Sequence, residues 1–466
     1  MTIHAISLFS VKSGAPPLWR WLRRGLLLLL GLVLLYGAGR LVHVALGSFY
    51  SGERGPYLQM PAPHAVTLRW QTATATIGSV RYGLLPKQLG YHVTEGRAGE
   101  EHALRLTGLQ PNTLYYYVIE ADGEPRYGGA EYWFITPPET GSTLPLRFAV
   151  LGDPGYANPK QLAVRDSMLE WLGAHLRSGR AYLDLLLTTG DNAYRSGSNE
   201  QFQTGFFDPY GVIFRNIVVW PIYGNHDARR WAFFELFDFP TQGESGGVAS
   251  ATEHYYSFDY GQVHFVVLDS QSSSMRPGSE MLQWLKKDLS QNRQPWTIAA
   301  FHHPPYTKGS HDSDNKGDSR GRMFAVRENV LPLLERAGVD LVLSGHSHMY
   351  ERSHLLNCHY GTSDTLTPAM LKPSKEKNDG AVVYRKPFEQ RNSGTIYAVV
   401  GSSSKVDNGS LDHPVMAVSL RQMGALVVDV SGTQLKARFV TDKGNVADSF
   451  TIIKDRNSTS AFPCDS

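Results

Sequence analysis

Residues 339–352 have the sequence VDLVLSGHSHMYER, in which an apolar run stops at Gly345 and two histidines follow, His346 and His348. The apolar run predicts a buried strand. Gly345 allows a sharp turn, so both imidazoles can leave the sheet at the end of that strand. Neutral imidazoles are common metal ligands, and the stretch therefore predicts a metal site at a sheet edge.

Four earlier stretches repeat this pattern of an apolar run followed by Asp, Asn or His. They are LRFAVLGDPG at 146–155, LDLLLTTGDNAY at 183–194, IVVWPIYGNHD at 217–227 and WTIAAFHHP at 296–304. Ligands of α/β sheets bind at the carboxyl ends of the strands, where these side chains would meet. A single such Asp or His is usually a turn or structural residue. All five together indicate a polynuclear metal site.

The composition sets broad limits. The chain has 466 residues, enough for two or three domains. Lys plus Arg is 45 and Asp plus Glu is 43, so charge gives no argument for a nucleic-acid partner. Only Cys358 and Cys464 are present, which excludes a disulfide scaffold and a cysteine-rich zinc protein. The two cysteines could pair in an exported protein or remain free thiols.

Residues 1–52 predict an export signal or a membrane anchor. Four basic residues precede the apolar run 25–39, namely Lys12, Arg20, Arg23 and Arg24, and the first acidic residue is Glu53. The run alone has the length of a signal core, and extended through Leu46 it could span a membrane with Arg40 snorkelling. We expect an anchor with the rest of the chain exported, periplasmic or extracellular. Cleavage would make the protein secreted.

Residues 55–138 predict an all-β sandwich, because short alternating runs are separated by Gly, Pro and Asn. Within them, LTGLQPNTLYYY at 106–117 resembles the corner of a fibronectin type III domain. Residues 136–141 are expected to be a linker. No chemistry is predicted in this unit.

Residues 144–455 predict the catalytic domain, since strands alternate with helical patterns and indicate a sheet with helices outside. Helices are expected at 162–176, ending near Gly179, after Ser279, and at 323–337 with a kink at Pro332. Residues 355–394 lack clear periodicity and are expected to form an insertion loop. Residues 456–466 are expected to be a tail.

The donor types suggest the chemistry. Carboxylate, amide and imidazole ligands suit two hard or borderline cations. A pair of cations about 3.5–4 Å apart clamps the oxygens of a displacement at phosphorus and supplies hydroxide. Asp191 is the expected bridge because a carboxylate has one oxygen for each metal. Tyr194 is either a phenolate ligand, which favours a ferric ion, or a packed aromatic residue.

The five motifs resemble those of the metallophosphoesterase superfamily and, more narrowly, of purple acid phosphatases, which run GDxG, GDxxY, GNH(E/D), VxxH and GHxH. The narrower resemblance rests on Gly155, where most superfamily members have His, and on Tyr194, which most lack. Plant-type members also begin with a fibronectin-like domain that starts much like residues 55–59. Ala299 replaces the Val of the fourth motif. The resemblance covers residues 55–453 and implies two mixed sheets flanked by helices in four layers.

The resemblance also implies roles for individual residues. The ferric ion would be held by Asp153, Asp191, Tyr194 and His348. A second metal, iron, zinc or manganese, would be held by Asp191, Asn225, His302 and His346. His302 is preferred over His303 because the family's ligand stands two residues before Pro304. His226 and His311 would be catalytic, contacting phosphate oxygens or the leaving group.

The sequence therefore predicts a dinuclear-metal acid phosphatase that cleaves small phosphate monoesters by attack of a metal-bound hydroxide on phosphorus. Two alternatives stay open. The same metals could serve a phosphodiesterase or nucleotide hydrolase. The chain could also be a non-catalytic surface binding protein that uses its fibronectin-like unit. The sequence does not determine the oligomeric state.

Overall fold

The computed structural model describes residues 18–388 and 392–455 and divides the chain into two compact units, 1–46 and 47–466. Within the first unit, helix α1 spans Leu18–Leu46. Its segment Leu22–Val42 is long and apolar enough to cross a membrane, a test that a signal sequence also passes. The predicted apolar amino-terminal helix is confirmed. Cys464 and the predicted tail lie outside the described residues.

The second unit begins with eight strands in two sheets. The first sheet has the order β1-β2-β5, and the second has the order β4-β3-β6-β7, with β8 also on β6. Buried side chains fill the space between them, including Trp70, Tyr117 and Phe134. The predicted β-sandwich is confirmed. The strands are β1 Arg54–Ala62, β2 Ala65–Thr76, β3 Gly78–Gly83, β4 Tyr91–Thr94, β5 Gly99–Thr107, β6 Leu114–Ala121, β7 Glu124–Tyr127 and β8 Trp133–Ile135.

The remaining strands form two mixed sheets. The strands of the eight-stranded sheet are β9 Leu146–Leu151, β10 Leu185–Thr188, β11 Val218–Trp220, β19 Lys377–Asn378, β20 Ala381–Pro387, β23 Gly424–Ser431, β24 Gln434–Thr441 and β25 Val446–Asp455. Those of the seven-stranded sheet are β12 Tyr256–Tyr260, β13 Val263–Val267, β14 Trp296–Ala300, β15 Leu341–Ser344, β16 Tyr350–Ser353, β21 Ile396–Val400 and β22 Met416–Leu420. A two-stranded sheet pairs β17 Leu355–Leu356 with β18 Leu371–Lys372.

The two large sheets pack face to face, with helices on their outer sides. Phe148 on β9 meets Phe265 on β13 edge to face, their ring centroids 5.4 Å apart. The helices are α2 Pro159–Ala174, α3 Asn199–Phe202, α4 Asp208–Phe214, α5 Ala232–Leu236, α6 Glu280–Gln291, α7 Arg322–Ala325 and α8 Leu331–Arg336. Leu285 of α6 and Leu334 of α8 pack with Val342 on β15. The predicted arrangement of two mixed sheets flanked by helices is confirmed.

The helix boundaries follow local chemistry. The side chain of Asn158 caps α2 by accepting from the backbone N–H of Gln161, and α2 ends well before Gly179. Ser279 is the N-cap residue of α6. The helix expected over 323–337 is broken into α7, a π-helical segment Val326–Val330 and α8. Pro332 lies in the first turn of α8, directly after the π-helical segment.

The region 355–394, expected to be an insertion loop, contains four strands, β17 to β20, of which β20 is the longest. Strand β20 lies inside this region and pairs in parallel with β25 in the eight-stranded sheet. Strand β20 was not predicted, because its polar residues interrupt the apolar pattern expected of a buried strand. Lys386 is 1% exposed, and its Nζ lies 2.7 Å from Oδ1 of the buried Asp340. The lysine charge, which in the sequence suggests a surface loop, is therefore neutralised by a carboxylate in the protein interior.

Candidate metal centre

The strands before the five motifs all end at one place. Strands β9, β10 and β11 are parallel neighbours in the eight-stranded sheet. Strands β14 and β15 are parallel neighbours in the seven-stranded sheet. The eight-stranded sheet contributes Asp153, Asp191, Tyr194 and Asn225 from the loops at its carboxyl edge. The seven-stranded sheet contributes His302, His346 and His348. Every oxygen donor of the predicted set thus comes from one sheet and every imidazole from the other.

Tyr194 is the centre of the first group of donors. Its Oη lies 3.1 Å from Oδ1 of Asp153, 3.1 Å from Oδ2 of Asp191 and 3.1 Å from Nε2 of His348. The side chain is 8% exposed. Four predicted ligands therefore surround one small volume, and the phenol points into it rather than merely packing beside it.

His302 is the centre of the second group. Its Nε2 lies 3.0 Å from Oδ1 of Asn225 and 3.1 Å from Nδ1 of His346. The same nitrogen is 3.5 Å from Oδ2 of Asp191. The same Asp191 oxygen faces Tyr194, so Asp191 is shared by both groups through Oδ2 alone, whereas the sequence-based expectation was one oxygen for each metal.

The charges in this volume fit bound cations. Asp153 and Asp191 are 0% and 2% exposed. Among the described residues their ion-pair partners are imidazoles alone, His348, His226 and His302. Buried carboxylates need cationic partners, and no Lys or Arg is paired with either one there. The donor set of carboxylate, phenol, amide and imidazole is one that hard and borderline metal ions accept.

The pKa values of the donors point the same way. Burial and the carboxylates of Asp191 and Asp153 raise the pKa of Tyr194 well above its usual range, so a phenolate here requires a nearby cation. Burial opposes protonation of His302, but Asp191 raises the pKa of this imidazole to about 9. Burial and the neighbouring imidazoles lower the pKa of His346 well below its usual range. A bound cation would replace the proton of His302.

Two hydrogen bonds orient the imidazoles. Nδ1 of His302 lies 2.8 Å from the carbonyl oxygen of Thr189, which leaves Nε2 for the centre. Nδ1 of His348 lies 2.6 Å from Oδ2 of Asp407, and Nζ of Lys405 lies 2.7 Å from the same oxygen. Such partners fix ring orientation and ligand basicity. The sequence analysis did not identify Asp407, because the loop after β21 contains no motif that indicates a role for this residue.

Replacing Asp407 by asparagine is expected to lower metal affinity at the His348 group by about 10–100-fold, because the imidazole loses its anionic partner. Metal content after dialysis against a graded chelator series measures the change. A matched control is Asp412→Asn, since Asp412 is exposed in the same loop region and its carboxylate accepts from the hydroxyl of Ser410. Equal chelator sensitivity of Asp407→Asn and the unaltered protein would contradict the expected role.

Close approach of the backbone explains the motif glycines. A Cβ on Gly190, where φ is +97°, would lie 2.4 Å from Nδ1 of His302, and a Cβ on Gly345 would lie 2.5 Å from Oδ2 of Asp153. Asp153, Asp191 and His346 themselves have φ of 52°, 53° and 66°. Residues other than glycine rarely adopt this backbone conformation, and such strain concentrates at functional sites.

Replacing Gly190 by alanine is expected to displace His302, release metal and destabilise the fold by about 1–3 kcal/mol. Gly179→Ala is the control, because Gly179 has φ of +68° but open space around it. It should cost about 1 kcal/mol through backbone strain and leave metal content unchanged. Thermal unfolding and metal analysis of both variants measure the difference. Full metal content in Gly190→Ala would contradict the argument.

The catalytic histidines predicted from the resemblance lie at the edge of this volume. Nε2 of His226 is 3.9 Å from Oδ2 of Asp191, and its Nδ1 is 2.7 Å from the carbonyl oxygen of Arg195. The ring of His311 stacks on that of His346 with centroids 4.0 Å apart. Its Nδ1 lies 2.9 Å from Oδ1 of Asp318. Both side chains are partly exposed, 23% for His226 and 30% for His311.

His303 and Asp227 support the centre from behind. Nδ1 of His303 lies 2.9 Å from Oγ of Ser270, and its ring packs 4.5 Å from that of His346. Its ring nitrogen also lies close enough to those of His302 and His346 to share a cation. Asp227 accepts from the backbone N–H groups of Asn192 and Gly224, joining the second motif to the third. Sequence reasoning gave Asp227 no role, although it stands inside the third motif.

Comparison with known proteins agrees with this architecture. Residues 146–350 match the family profile of calcineurin-like phosphoesterases, and residues 54–136 match that of the purple acid phosphatase N-terminal domain. The first match defines the class of protein as a metal-dependent phosphoesterase. With the second, the chain is a purple acid phosphatase-like member of the calcineurin-like metallophosphoesterase superfamily, as its motifs predicted.

Individual relatives are distant. Probable purple acid phosphatase 20 of Arabidopsis thaliana is 27% identical over 64% of this chain and 68% of its own length. Purple acid phosphatase 18 of the same plant is 32% identical over 59% of this chain and 57% of its own length. The alignments thus span from about half to two thirds of these relatives. The structure of purple acid phosphatase PPD1 from yellow lupin seeds has the same fold, with a TM-score of 0.66 at 20% identity, covering 86% of this chain and 74% of that one.

Proposed function

We propose that the protein hydrolyses phosphate monoesters at a dinuclear metal centre, as an acid phosphatase. One observation carries the proposal, the position of Tyr194 Oη at 3.1 Å from donors of three other predicted ligands. In the proposed set, Asp153, Asp191, Tyr194 and His348 hold a ferric ion. The second site, for iron, zinc or manganese, consists of Asp191, Asn225, His302 and His346.

Two such cations, when bound, withdraw charge from phosphate oxygens and lower the pKa of a water molecule. The protein's own groups complete the site. Because Nδ1 of His226 faces the Arg195 carbonyl, Nε2 is the nitrogen left to meet a phosphate oxygen. Burial lowers the pKa of His226, opposed by the charge of Asp191. In its imidazolium form His226 would donate from Nε2–H to a phosphoryl oxygen, and developing charge on that oxygen would strengthen the hydrogen bond.

His311 is proposed to protonate the leaving group. Nδ1 of His311 lies against the carboxylate of Asp318, which holds the ring and leaves Nε2 for an incoming ester oxygen. General acid catalysis matters most for leaving groups that are poor when unprotonated. This role predicts that the activity lost when His311 is removed increases with the basicity of the leaving group.

Turnover is measured on three substrates, an aryl phosphate monoester, an alkyl phosphate monoester and an aryl phosphodiester. Together they test the proposed monoesterase activity and the proposed role of His311. We expect the monoesters to be preferred over the diester. His311→Ala should lose about 10–100-fold more activity on the alkyl ester than on the aryl ester. Equal losses on both esters would remove His311 from this role. Faster diester cleavage would assign the centre to a phosphodiesterase.

Helix α1 is proposed to anchor the protein in a membrane, with residues 47–466 outside the cytoplasm. The support is the apolar segment Leu22–Val42 and the basic residues before it. Vesicle flotation of the full chain, with and without alkaline carbonate, tests this placement. Release by carbonate would contradict insertion.

A further inference from the structure

Side-chain contacts join the loop that carries His311 to the proposed metal ligand His346. The two imidazole rings stack with their centroids 4.0 Å apart and an angle of 17° between their planes. Nδ1 of His311 lies 2.9 Å from Oδ1 of Asp318. Oγ of Ser319 lies 2.9 Å from the same carboxylate oxygen and 2.7 Å from Nε2 of His346. These four side chains form a closed network between the proposed acid and the second metal site.

The backbone adopts an unusual conformation where this network is made. Ser319 and Arg320 both have positive φ, 51° and 57°. Residues other than glycine rarely adopt this conformation, and when they do it is mostly as single residues. Residues 315–317 just before them are exposed, so burial of this part of the loop does not explain it. Strain of this kind persists where the surrounding contacts require it. The contacts of the Ser319 hydroxyl are of that kind.

The orientation of His346 decides which atoms donate in the network. Its Nδ1 lies 3.1 Å from Nε2 of His302, among the second group of donors, so Nδ1 is the nitrogen available to a cation. A cation on Nδ1 leaves the ring proton on Nε2, because a neutral imidazole carries a single N–H. Nε2 then donates to Oγ of Ser319. The hydroxyl proton of Ser319 is left for the carboxylate of Asp318.

Asp318 carries this effect to His311. Its Oδ1 accepts from the Ser319 hydroxyl, and its Oδ2 accepts from the backbone N–H of Asp312 at 2.9 Å. An ionised carboxylate only accepts, so it holds a proton on Nδ1 of His311 and leaves Nε2 to face the ester oxygen. Without a cation the ring proton of His346 is free to move to Nδ1. Nε2 would then accept from Ser319, and Asp318 would lose one of the donors that hold it.

We propose that Ser319 is a positioning residue through which a cation in the second metal site orders His311. The inference rests on the proposed function, in which His311 protonates the leaving group. A filled site sets the direction of each hydrogen bond in the network, and a metal-free site does not. The group that assists the leaving group is therefore ordered only when the cation that draws charge from the phosphate oxygens is bound.

A double-mutant cycle on the full chain, saturated with iron and zinc, tests the coupling. Ser319→Ala, Ser319→Gly, His311→Ala and the combination of Ser319→Ala with His311→Ala are compared on the aryl and the alkyl monoester. Glycine also removes the hydroxyl but tolerates positive φ, so it separates the hydroxyl from a backbone effect. Ser270→Ala is the matched control, because Oγ of Ser270 meets Nδ1 of His303 at 2.9 Å, outside the network.

We expect both Ser319 variants to lose about tenfold more activity on the alkyl ester than on the aryl ester, with their metal retained. Ser319→Ala should add no selective loss when His311 is already absent, and Ser270→Ala should show no selective loss. Equal losses on the two esters in the Ser319 variants would overturn the coupling, as would a further selective loss in the combination. Equal losses in His311→Ala would refute the proposed acid itself and this inference with it.

Magnetic resonance of the imidazole protons gives a measurement that does not depend on turnover. The full chain, isotopically labelled at its histidine nitrogens, is recorded in detergent before and after addition of zinc alone. The His311 signal is the one absent from His311→Ala. In the unaltered protein we expect its Nδ1 proton signal to sharpen when zinc binds, because exchange with water slows.

In Ser319→Ala the same signal should stay broad although zinc is bound. A sharp signal in the zinc-loaded variant would overturn the role of Ser319. A signal that does not respond to bound zinc in the unaltered protein would overturn the coupling to the metal site. Neither result bears on the proposed hydrolysis, which is measured separately by turnover.

Discussion

Asp191→Ala is expected to abolish metal binding and to reduce monoester turnover by about a thousandfold or more. The carboxylate is the only proposed ligand common to both groups, with one oxygen facing Tyr194 and His302 together. Its removal also takes away the acceptor of the His226 backbone N–H, a bond of 2.7 Å. Metal analysis and turnover of the purified variant, reconstituted with iron and zinc, measure the effect.

Asp269→Ala is the matched control for this variant. Asp269 is 1% exposed and follows a strand of the same domain, but its oxygens accept from the backbone N–H groups of the loop 271–273. We expect it to lower stability and to keep its metal. Substantial activity in Asp191→Ala, or metal loss from Asp269→Ala equal to that of Asp191→Ala, would refute the bridging role.

Tyr194→Phe is expected to remove the visible absorption band of the oxidised protein completely. A phenolate bound to a ferric ion gives a charge-transfer band, and phenylalanine offers no donor atom. The fold should survive because the ring still packs on Tyr156, with centroids 3.8 Å apart. Visible spectra after mild oxidation, alongside circular dichroism, measure both effects.

Tyr156→Phe separates the ligand from its neighbour. The Tyr156 phenol is hydrogen-bonded to Lys405 and feels the carboxylate of Asp153 only through its charge, whereas Tyr194 Oη lies 3.1 Å from donor atoms of three other predicted ligands. This variant should therefore retain the band. If Tyr156→Phe lost the band and Tyr194→Phe kept it, the phenolate ligand would be Tyr156 and not Tyr194. A colourless unaltered protein with bound divalent metal would exclude the ferric ion from the proposal.

The strands and the motif residues were predictable because both depend on local signals. Apolar runs predict buried strands, and a glycine at the end of four of the five runs predicts the turn that exposes the next side chain. Gly345 and Gly190 illustrate this, since their missing Cβ atoms leave room for Asp153 and His302. The domain boundaries and the assignment of individual ligands stay predictions.

What escaped sequence analysis depends on contacts between distant residues. Asp407 meets His348 across 59 positions of the chain, and nothing near Asp407 indicates that partner. Ser403 and Ser404, just after β21, bond to Gly152 and Asp153 and hold the first motif loop. Strand β20 was missed because Lys386 is neutralised by Asp340, a pairing that only the assembled sheet creates.

The division of donors between the two sheets has a consequence for how the protein matures. One sheet supplies carboxylates, phenol and amide, and the other supplies only imidazoles, so neither half could retain two cations by itself. Metal uptake would then show that the two large sheets have packed together in the correct register. A chain whose halves are misaligned by one strand position would remain colourless and inactive, however much secondary structure it had formed. With the proposed ferric ion bound, colour would be a direct assay of correct tertiary assembly.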